Sequence, residues 1–198
     1  MALEFCTMYP EYVNKLISIS SGYKLSTLQT LHNLEQAYIL DLGKDSNNRN
    51  NEYLSLARMV AHKTYISLEL LSNRAKSETL YNDDLIKGFL STPQESYMMH
   101  QGEKFIERFT PESYLSIIKG WQNFKIEQED LNKLKDIETL LISVDSDVCF
   151  YPDEQKDFLA VLNNHEINTT YTTINSTKGH DSFLLEPELF EDTLKNFL

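Results

Sequence analysis

The sequence is poor in glycine, and the spacing of its glycines excludes several kinds of active site. No two of the six lie four positions apart; they are Gly22, Gly43, Gly88, Gly102, Gly120 and Gly179. A serine nucleophile on a strand-to-helix turn needs two glycines at that spacing, as G-x-S-x-G, and phosphate-binding and dinucleotide-binding loops also need closely spaced glycines. The 198 residues therefore carry none of these three motifs.

Cysteine is scarce, long apolar runs are absent and basic residues are outnumbered. Cys6 and Cys149, the only cysteines, form no C-x-x-C pair of the kind that binds metals, and their scarcity suits a reducing compartment. No apolar run approaches the roughly 18 residues of a membrane helix, and Glu4 stands where a signal peptide would carry basic charge. A net charge of -12 argues against nucleic-acid or anionic-membrane partners. We therefore expect a cytoplasmic protein without a bound metal.

Strand-like and helical segments alternate in the second half of the chain. Residues 138–144 and 169–175 read as strands, and helices are predicted over 153–164 and 187–198. A further buried strand is predicted over 13–21, after a short amphipathic helix that Pro10 closes. This order is typical of a parallel sheet covered by helices on both faces, so the predicted fold class is α/β.

The middle of the chain is helical instead. A helix is predicted from a cap at Ser26 to an end at Gly43. The residues at helical spacing between them are Leu28, Leu31, Leu34 and Tyr38. A long helical stretch is predicted over 51–75, and two more in SYMMHQGEKFIERF and PESYLSIIKGWQNF. We therefore expect an α/β core made of residues 1–25 and 126–198, with a helical insertion over 26–125.

Polar side chains follow two of the predicted strands. Asp145 and Asp147 come directly after 138–144, and His180 and Asp181 follow the strand that ends near residue 175. Open α/β sheets place their sites at the carboxyl ends of the strands, so an aspartate could orient the imidazole of His180 as a catalytic base. The alternative is that the aspartates form turns and His180 is a surface loop residue.

Six stretches form a more specific pattern than one aspartate and one histidine. They are MALEFCTMYPEYVNKLISISS, LARMVAHKTY, ESYMMHQGEKFIERF, SYLSIIKGW, SVDSDVCFYPDEQ and KGHDSFLLE. In this order they resemble the carboxyl-terminal half of the homoserine O-acetyltransferases, the acyltransferase branch of the α/β-hydrolase fold. The resemblance implies the carboxyl-terminal part of that fold, with parallel strands, flanking helices and the insertion as a large helical lid.

The resemblance also implies a Ser-Asp-His triad. His180 corresponds to the base and Asp147 to its orienting carboxylate, with Asp145 as the weaker candidate. The family's nucleophile motif reads roughly G-x-S-x-G-G-M-x-A-L-E, and Met1-Ala2-Leu3-Glu4 resembles its tail. The serine is then expected about five residues upstream of Met1. We therefore expect a fragment, or a reading frame begun at an internal methionine, that is inactive on its own.

Three further residues correspond to the family's substrate site. Arg58 matches the arginine that holds the homoserine carboxylate, and Tyr65 and Asp181 match pocket residues, with Asp181 meeting the amine. On the predicted helix, Arg58 and Tyr65 share one face with His62, which we expect to pack or bond locally. A guanidinium is a natural carboxylate receptor. The alternative for Arg58 is a surface ion pair with an acidic neighbour, Glu52 or Asp45.

The function implied by the resemblance is acetyl transfer from acetyl-CoA to L-homoserine in methionine biosynthesis. Acetyl-CoA would be a co-substrate, with no bound cofactor, and the lid helices would form a homodimer. Alternatives of the same fold are a hydrolase and an acyltransferase that uses succinyl-CoA or serine. An inactive remnant is the alternative outside enzymes.

Overall fold

The elements follow the order expected of an α/β protein with a helical middle. A computed structural model describes residues 1–45, 49–75 and 92–198; residues 46–48 and 76–91 of the expected insertion lie outside the described residues. The helices are α1 (Ala2–Met8), α2 (Thr27–Gly43), α3 (Asn50–Tyr65), α4 (Leu68–Arg74), α5 (Pro93–Ile106), α6 (Pro111–Gln122), α7 (Gln128–Leu131), α8 (Pro152–Asn164), α9 (Ser182–Leu185) and α10 (Glu188–Phe197). Short 3-10 turns span Pro10–Tyr12, Asn132–Leu134 and Gly179–Asp181.

The strands form one parallel sheet, as the alternating pattern predicts. They are β1 (Lys15–Ile19), β2 (Glu138–Val144) and β3 (Thr169–Ile174), in the order β1-β2-β3. Lys15 pairs with Glu138, and Thr139 with Thr169. Because the strands are parallel, their carboxyl ends meet at one edge, where the loops after β2 and β3 lie side by side.

The central strand β2 supplies side chains to both faces of the sheet. Leu141 packs into a cluster with Leu3 of α1 and Phe158 of α8, whereas Leu140 and Ile142 pack with Phe190 and Phe197 of α10. Each of the three β2 residues is at most 1% exposed. Full burial of such a side chain stabilises the fold by about 1.5–3 kcal/mol. The strand β2 is therefore firmly held in the core and supports the loop that follows it.

The chain divides into two compact units. We call the first the sheet unit; it comprises Met1–Ser26, Tyr65–Ser67 and Phe124–Leu198. The second, the helical unit, comprises Thr27–Thr64 and Leu68–Asn123. In the part of the chain that the structure describes, no helix is both long enough and apolar enough to cross a membrane.

Helix α2 of the helical unit buries amides and exposes leucines. Gln29, Asn33 and Gln36 are at most 5% exposed, and the Tyr114 hydroxyl donates to Oε1 of Gln36. The residues whose spacing predicts the helix lie on the exposed side instead; they are Leu28, Leu31, Leu34 and Tyr38, at 37–61% exposure. The core of the unit includes Leu40, Leu54, Ala57, Phe105, Tyr114 and Ile118.

The long helical stretch predicted over 51–75 consists of two helices with a break between them. Helix α3 ends at Tyr65 and α4 begins at Leu68. At the break, the backbone N–H of Ser67 donates to the carbonyl of Lys178 at 3.2 Å, and the Ser67 hydroxyl donates to the carbonyl of Thr177. Neither glycine nor proline marks this position, so tertiary hydrogen bonds interrupt the helix.

Candidate active site

Asp147 and His180 meet at the carboxyl edge of the sheet. The distance from Nδ1 of His180 to Oδ2 of Asp147 is 2.9 Å. The Asp147 side chain is fully buried, and that of His180 is 19% exposed. Two loops that follow adjacent parallel strands thus bring together a carboxylate and an imidazole, which a direct hydrogen bond joins.

The backbone of its own loop orients Asp147. Its Oδ1 accepts hydrogen bonds from the N–H groups of Cys149 and Phe150, both at 2.8 Å. These two bonds fix the carboxylate plane and leave Oδ2 for His180. Asp147 is therefore a turn former and a histidine partner at once.

Aromatic rings and Asp147 fix the orientation and tautomer of His180. Phe150 stacks on the imidazole at 5.4 Å between centroids, and Phe183 meets it edge-on at 5.6 Å. Because a carboxylate only accepts, Nδ1 carries the proton and Nε2 is the basic nitrogen. Within residues 1–45, 49–75 and 92–198, Nε2 has no hydrogen-bond partner. The ring is thus held at one edge, with its proton-accepting nitrogen available.

Asp145 bonds to the backbone of the neighbouring loop, whereas Asp147 bonds to His180. Its Oδ1 accepts from the backbone N–H of Ser176 at 2.9 Å, which ties the end of β2 to the loop after β3. Asp181 follows His180 in the turn Gly179–Asp181 and is half-buried. The structure therefore places Asp147, His180 and Asp181 around one loop pair, with Asp145 as a tie between the loops.

Arg58 lies in a small polar cluster inside the helical unit. Its guanidinium is 5.0 Å from the centre of the Phe105 ring, and its Nη2 is 3.5 Å from Nδ1 of His62. Nε2 of His62 is 3.1 Å from the Tyr97 hydroxyl. Because a guanidinium only donates, Nδ1 of His62 is the acceptor and Nε2 carries the proton. Glu52, one alternative partner of Arg58, is bound by Arg49 at 2.5 and 2.8 Å.

His62 is held neutral by its surroundings. Burial lowers its pKa to about 4, and the nearby charges of Arg58 and Arg74 act in the same direction. The expectation that His62 packs and bonds locally agrees with these contacts. Tyr97 and Phe105 lie in the stretch ESYMMHQGEKFIERF, but the local pattern does not place them beside Arg58 and His62, because α5 reaches this cluster through packing.

Tyr65 is the last residue of α3, is half-buried, and belongs to the sheet unit, whereas Arg58 belongs to the helical unit.

Among the residues that the structure describes, no group of three or more His, Cys, Asp or Glu side chains is placed to hold a metal ion. Of the candidate catalytic residues, Asp147 and His180 are in direct contact with each other.

Comparison with known proteins gives relatives over the whole chain. No protein-family model matches. Curated homoserine O-acetyltransferases of Methanosalsum zhilinae and Methanobrevibacter ruminantium are 34% and 33% identical, over 99% and 100% of this chain. These matches cover 42% and 43% of the two relatives, so the chain spans about half the length of the curated relatives it matches.

Two solved structures share the fold at low identity. A homoserine O-acetyltransferase from Bacillus anthracis matches with a TM-score of 0.84 at 15% identity, over 99% of this chain and 56% of that one. Esterase E22 matches with the same TM-score at 16% identity, over 99% of this chain and 57% of that one. The fold is thus the carboxyl-terminal part of an α/β-hydrolase fold. By its sequence relatives, the chain belongs to the homoserine O-acetyltransferase family.

Proposed function

We propose that the protein serves in acetyl transfer from acetyl-CoA to L-homoserine, with His180 as general base and Asp147 as its orienting carboxylate. The observation that carries this proposal is the 2.9 Å hydrogen bond between the two side chains at the ends of adjacent parallel strands. The sequence relatives supply the reaction class, since those of M. zhilinae and M. ruminantium are named homoserine O-acetyltransferases.

The chemistry is a two-step acyl transfer. Nε2 of His180 takes the proton of a serine hydroxyl, whose oxygen attacks the thioester carbonyl; CoA leaves as its thiol with that proton. In the second step, Nε2 takes the proton of the homoserine hydroxyl, which attacks the acyl-serine and releases the serine with a proton. Asp147 holds the imidazole in the required tautomer and stabilises its cation in both steps.

The nucleophile is proposed to come from residues other than these 198. The sequence contains no G-x-S-x-G, and the curated relatives that it matches are more than twice as long. We accordingly propose that the chain by itself does not transfer acetyl groups. Without a nucleophile, a base and its carboxylate leave only binding effects.

The acceptor site is proposed to include Arg58, Asp181 and Tyr65. Homoserine carries a carboxylate and an ammonium group, which suit a guanidinium and a carboxylate respectively. Support for Arg58 comes from its contacts with the imidazole of His62 and the ring of Phe105, because such contacts limit the rotamers of a long side chain. Asp181 directly follows His180 in the turn Gly179–Asp181.

The exposed side of α2 is proposed to pair two copies of the protein. It presents five large apolar side chains at 37–61% exposure: Leu28, Leu31, Leu34, Tyr38 and Leu42. A continuous apolar stripe of this kind is typical of a protein–protein contact. A homodimer through the helical unit would remove these side chains from water. We propose a cytoplasmic enzyme of methionine biosynthesis with this assembly.

The second candidate is a hydrolase, in which water replaces homoserine. The observation that favours it is that esterase E22 matches the structure with the same TM-score as the acetyltransferase. The same dyad would also serve transfer from succinyl-CoA or transfer to serine. An inactive remnant is the outcome if no nucleophile accompanies the dyad.

The test begins with the coding DNA upstream of Met1, read for an in-frame G-x-S-x-G. The longest resulting protein is expressed beside its His180→Ala variant, with CoA release and O-acetylhomoserine measured separately. Equal release and product formation, lost in the variant, support acetyl transfer. CoA release without homoserine dependence supports the hydrolase. Activity of the 198-residue chain well above its own His180→Ala variant contradicts the proposal that the nucleophile lies elsewhere.

A further inference from the structure

We propose that Ser146 is a positioning residue for His180, because it holds the peptide group that precedes the Gly179–His180 step. This inference rests on the proposed function of His180 as the base, but it concerns geometry that is measurable without activity. Ser146 lies between the two aspartates of the D-S-D run and is not part of the Asp147–His180 pair.

The peptide group between Lys178 and Gly179 is bonded at both ends. Its N–H, that of Gly179, donates to Oγ of Ser146 at 3.0 Å. Its carbonyl, that of Lys178, accepts from the N–H of Ser67 at 3.2 Å. A peptide group held from both sides cannot rotate about its flanking bonds without breaking a hydrogen bond. His180 directly follows Gly179, so the restrained peptide group lies next to the residue that carries the imidazole.

The single hydroxyl of Ser146 serves two loop contacts without conflict. It donates its proton to the carbonyl of Ser176 and accepts from the N–H of Gly179. Both partners lie in the loop after β3, whereas Ser146 lies in the loop after β2. One side chain thus joins the loop of the orienting carboxylate to the loop of the base, independently of the bond between Asp147 and His180.

The backbone conformation of Gly179 is the reason why the hydrogen bond to Ser146 matters. Its φ is +78°, and a Cβ built there would lie 2.5 Å from the nitrogen of Ser67. The residue before His180 therefore adopts a backbone conformation that favours glycine. Glycine is also the residue with the greatest conformational freedom. The Ser146 bond restrains that flexible step, so that the imidazole faces Oδ2 of Asp147.

The test uses the 198-residue chain labelled with nitrogen-15 and the proton resonance of Nδ1–H of His180. This proton is expected to exchange slowly with water and to appear far downfield, because it is bonded to Asp147. Ser146→Ala should raise its exchange rate roughly tenfold or more, because both hydrogen bonds that join Ser146 to the loop after β3 are lost. Ser146→Thr keeps the hydroxyl and should restore slow exchange.

Ser143→Ala is the matched control. It removes the hydroxyl of a buried serine near the end of β2, whose hydrogen-bond partners among the described residues are Tyr171 and Thr173 of β3. The control should leave the His180 resonance unchanged. Unchanged exchange in Ser146→Ala, or an equal effect of Ser143→Ala, overturns the inference.

The proposed function is tested separately by turnover of the longer protein. If Ser146→Ala frees the His180 proton while His180→Ala leaves turnover intact, the positioning role stands and the catalytic role fails. If both hold, Ser146→Ala should lower kcat and leave KM for homoserine unchanged. A global loss of fold in Ser146→Ala would appear in the amide spectrum, and Ser146→Thr then decides the inference through the same proton.

Discussion

Gly179 lies against the backbone of Ser67, so closely that no side chain fits between them. A Cβ on Gly179 would be 2.5 Å from the Ser67 nitrogen and 2.8 Å from the carbonyl carbon of Ile66. The loop that carries His180 therefore depends on the absence of one methyl group.

Gly179→Ala is expected to destabilise the chain by about 1–3 kcal/mol or more, because positive φ and a backbone clash act together. Thermal or urea unfolding measures this change. Gly120→Ala is the control: Gly120 is an exposed helical residue with nothing within 4 Å of a built Cβ. That substitution should instead stabilise the protein by about 0.5–1 kcal/mol. Equal effects of both substitutions would contradict the packing argument.

Asp147→Asn should reduce turnover of the longer protein by a factor on the order of 10³–10⁴, since an amide N–H2 facing Nδ1–H of His180 disturbs the tautomer. The amide oxygen can still accept from Cys149 and Phe150, so the loop should keep its shape. Asp145→Asn is matched in charge and retains an acceptor for Ser176. Steady-state kinetics should show a far smaller loss for Asp145→Asn; comparable losses would argue against Asp147 as the orienting residue.

Tyr114→Phe should destabilise the helical unit by about 1–3 kcal/mol, because it leaves the buried Oε1 of Gln36 without its donor. The other end of this amide remains bonded, with Nε2 donating to the carbonyl of His32 at 3.0 Å. Urea unfolding gives the change in free energy. Tyr12→Phe, at a residue 76% exposed, removes a hydroxyl without leaving a buried partner and should be within about 0.5 kcal/mol of the parent.

Acidification should weaken the fold through His62. The folded pKa is about 4 against an ordinary value of 6.5, so the unfolded chain binds a proton first as the pH falls. Stability from this group is complete above about pH 6.5 and is lost progressively down to about pH 4, by about 1–3 kcal/mol. His62→Gln cannot titrate. The difference in unfolding free energy between parent and variant should therefore shrink from pH 7.5 to pH 4.5, and a constant difference would contradict this.

Leu31→Asp and Leu34→Asp should convert a dimer to a monomer if α2 forms the contact. Both side chains are at least 50% exposed, so the folded monomer should lose little stability. Light scattering after size exclusion measures the mass. Leu184→Asp alters a leucine that is 67% exposed on α9, in the sheet unit, and should leave the mass unchanged.

The elements β2 and α2 could be predicted from local pattern, whereas their surroundings and the break between α3 and α4 could not. The bounds of β2 match the predicted 138–144, because a run of apolar residues between polar ones defines a buried strand. The spacing of leucines predicts α2, but it does not tell that Tyr114 would bury the opposite side through Gln36. A pattern identifies an apolar side, and only the packing of distant residues decides which side is covered.

The pairing of the candidate dyad was predictable for a topological reason. Parallel strands end at one edge, so residues after β2 and after β3 must meet. The choice between Asp145 and Asp147 came from resemblance and not from this argument, and the structure places only Asp147 against His180. The role of Ser67 had no local signal, since Thr177, whose carbonyl accepts from its hydroxyl, lies 110 residues further along the chain.

The wide separation of β1 from β2 in the chain bears on how the protein folds. The chain leaves the sheet at Ile19 and re-enters it at Glu138, yet these strands are direct neighbours. A sheet formed first would have to close a loop of disordered residues, and closure entropy grows with loop length. Helices between the strands can form from local contacts, which are quick to make, and so shorten the loop before the strands pair. Cotranslational folding should therefore order the helical segment before the sheet is complete.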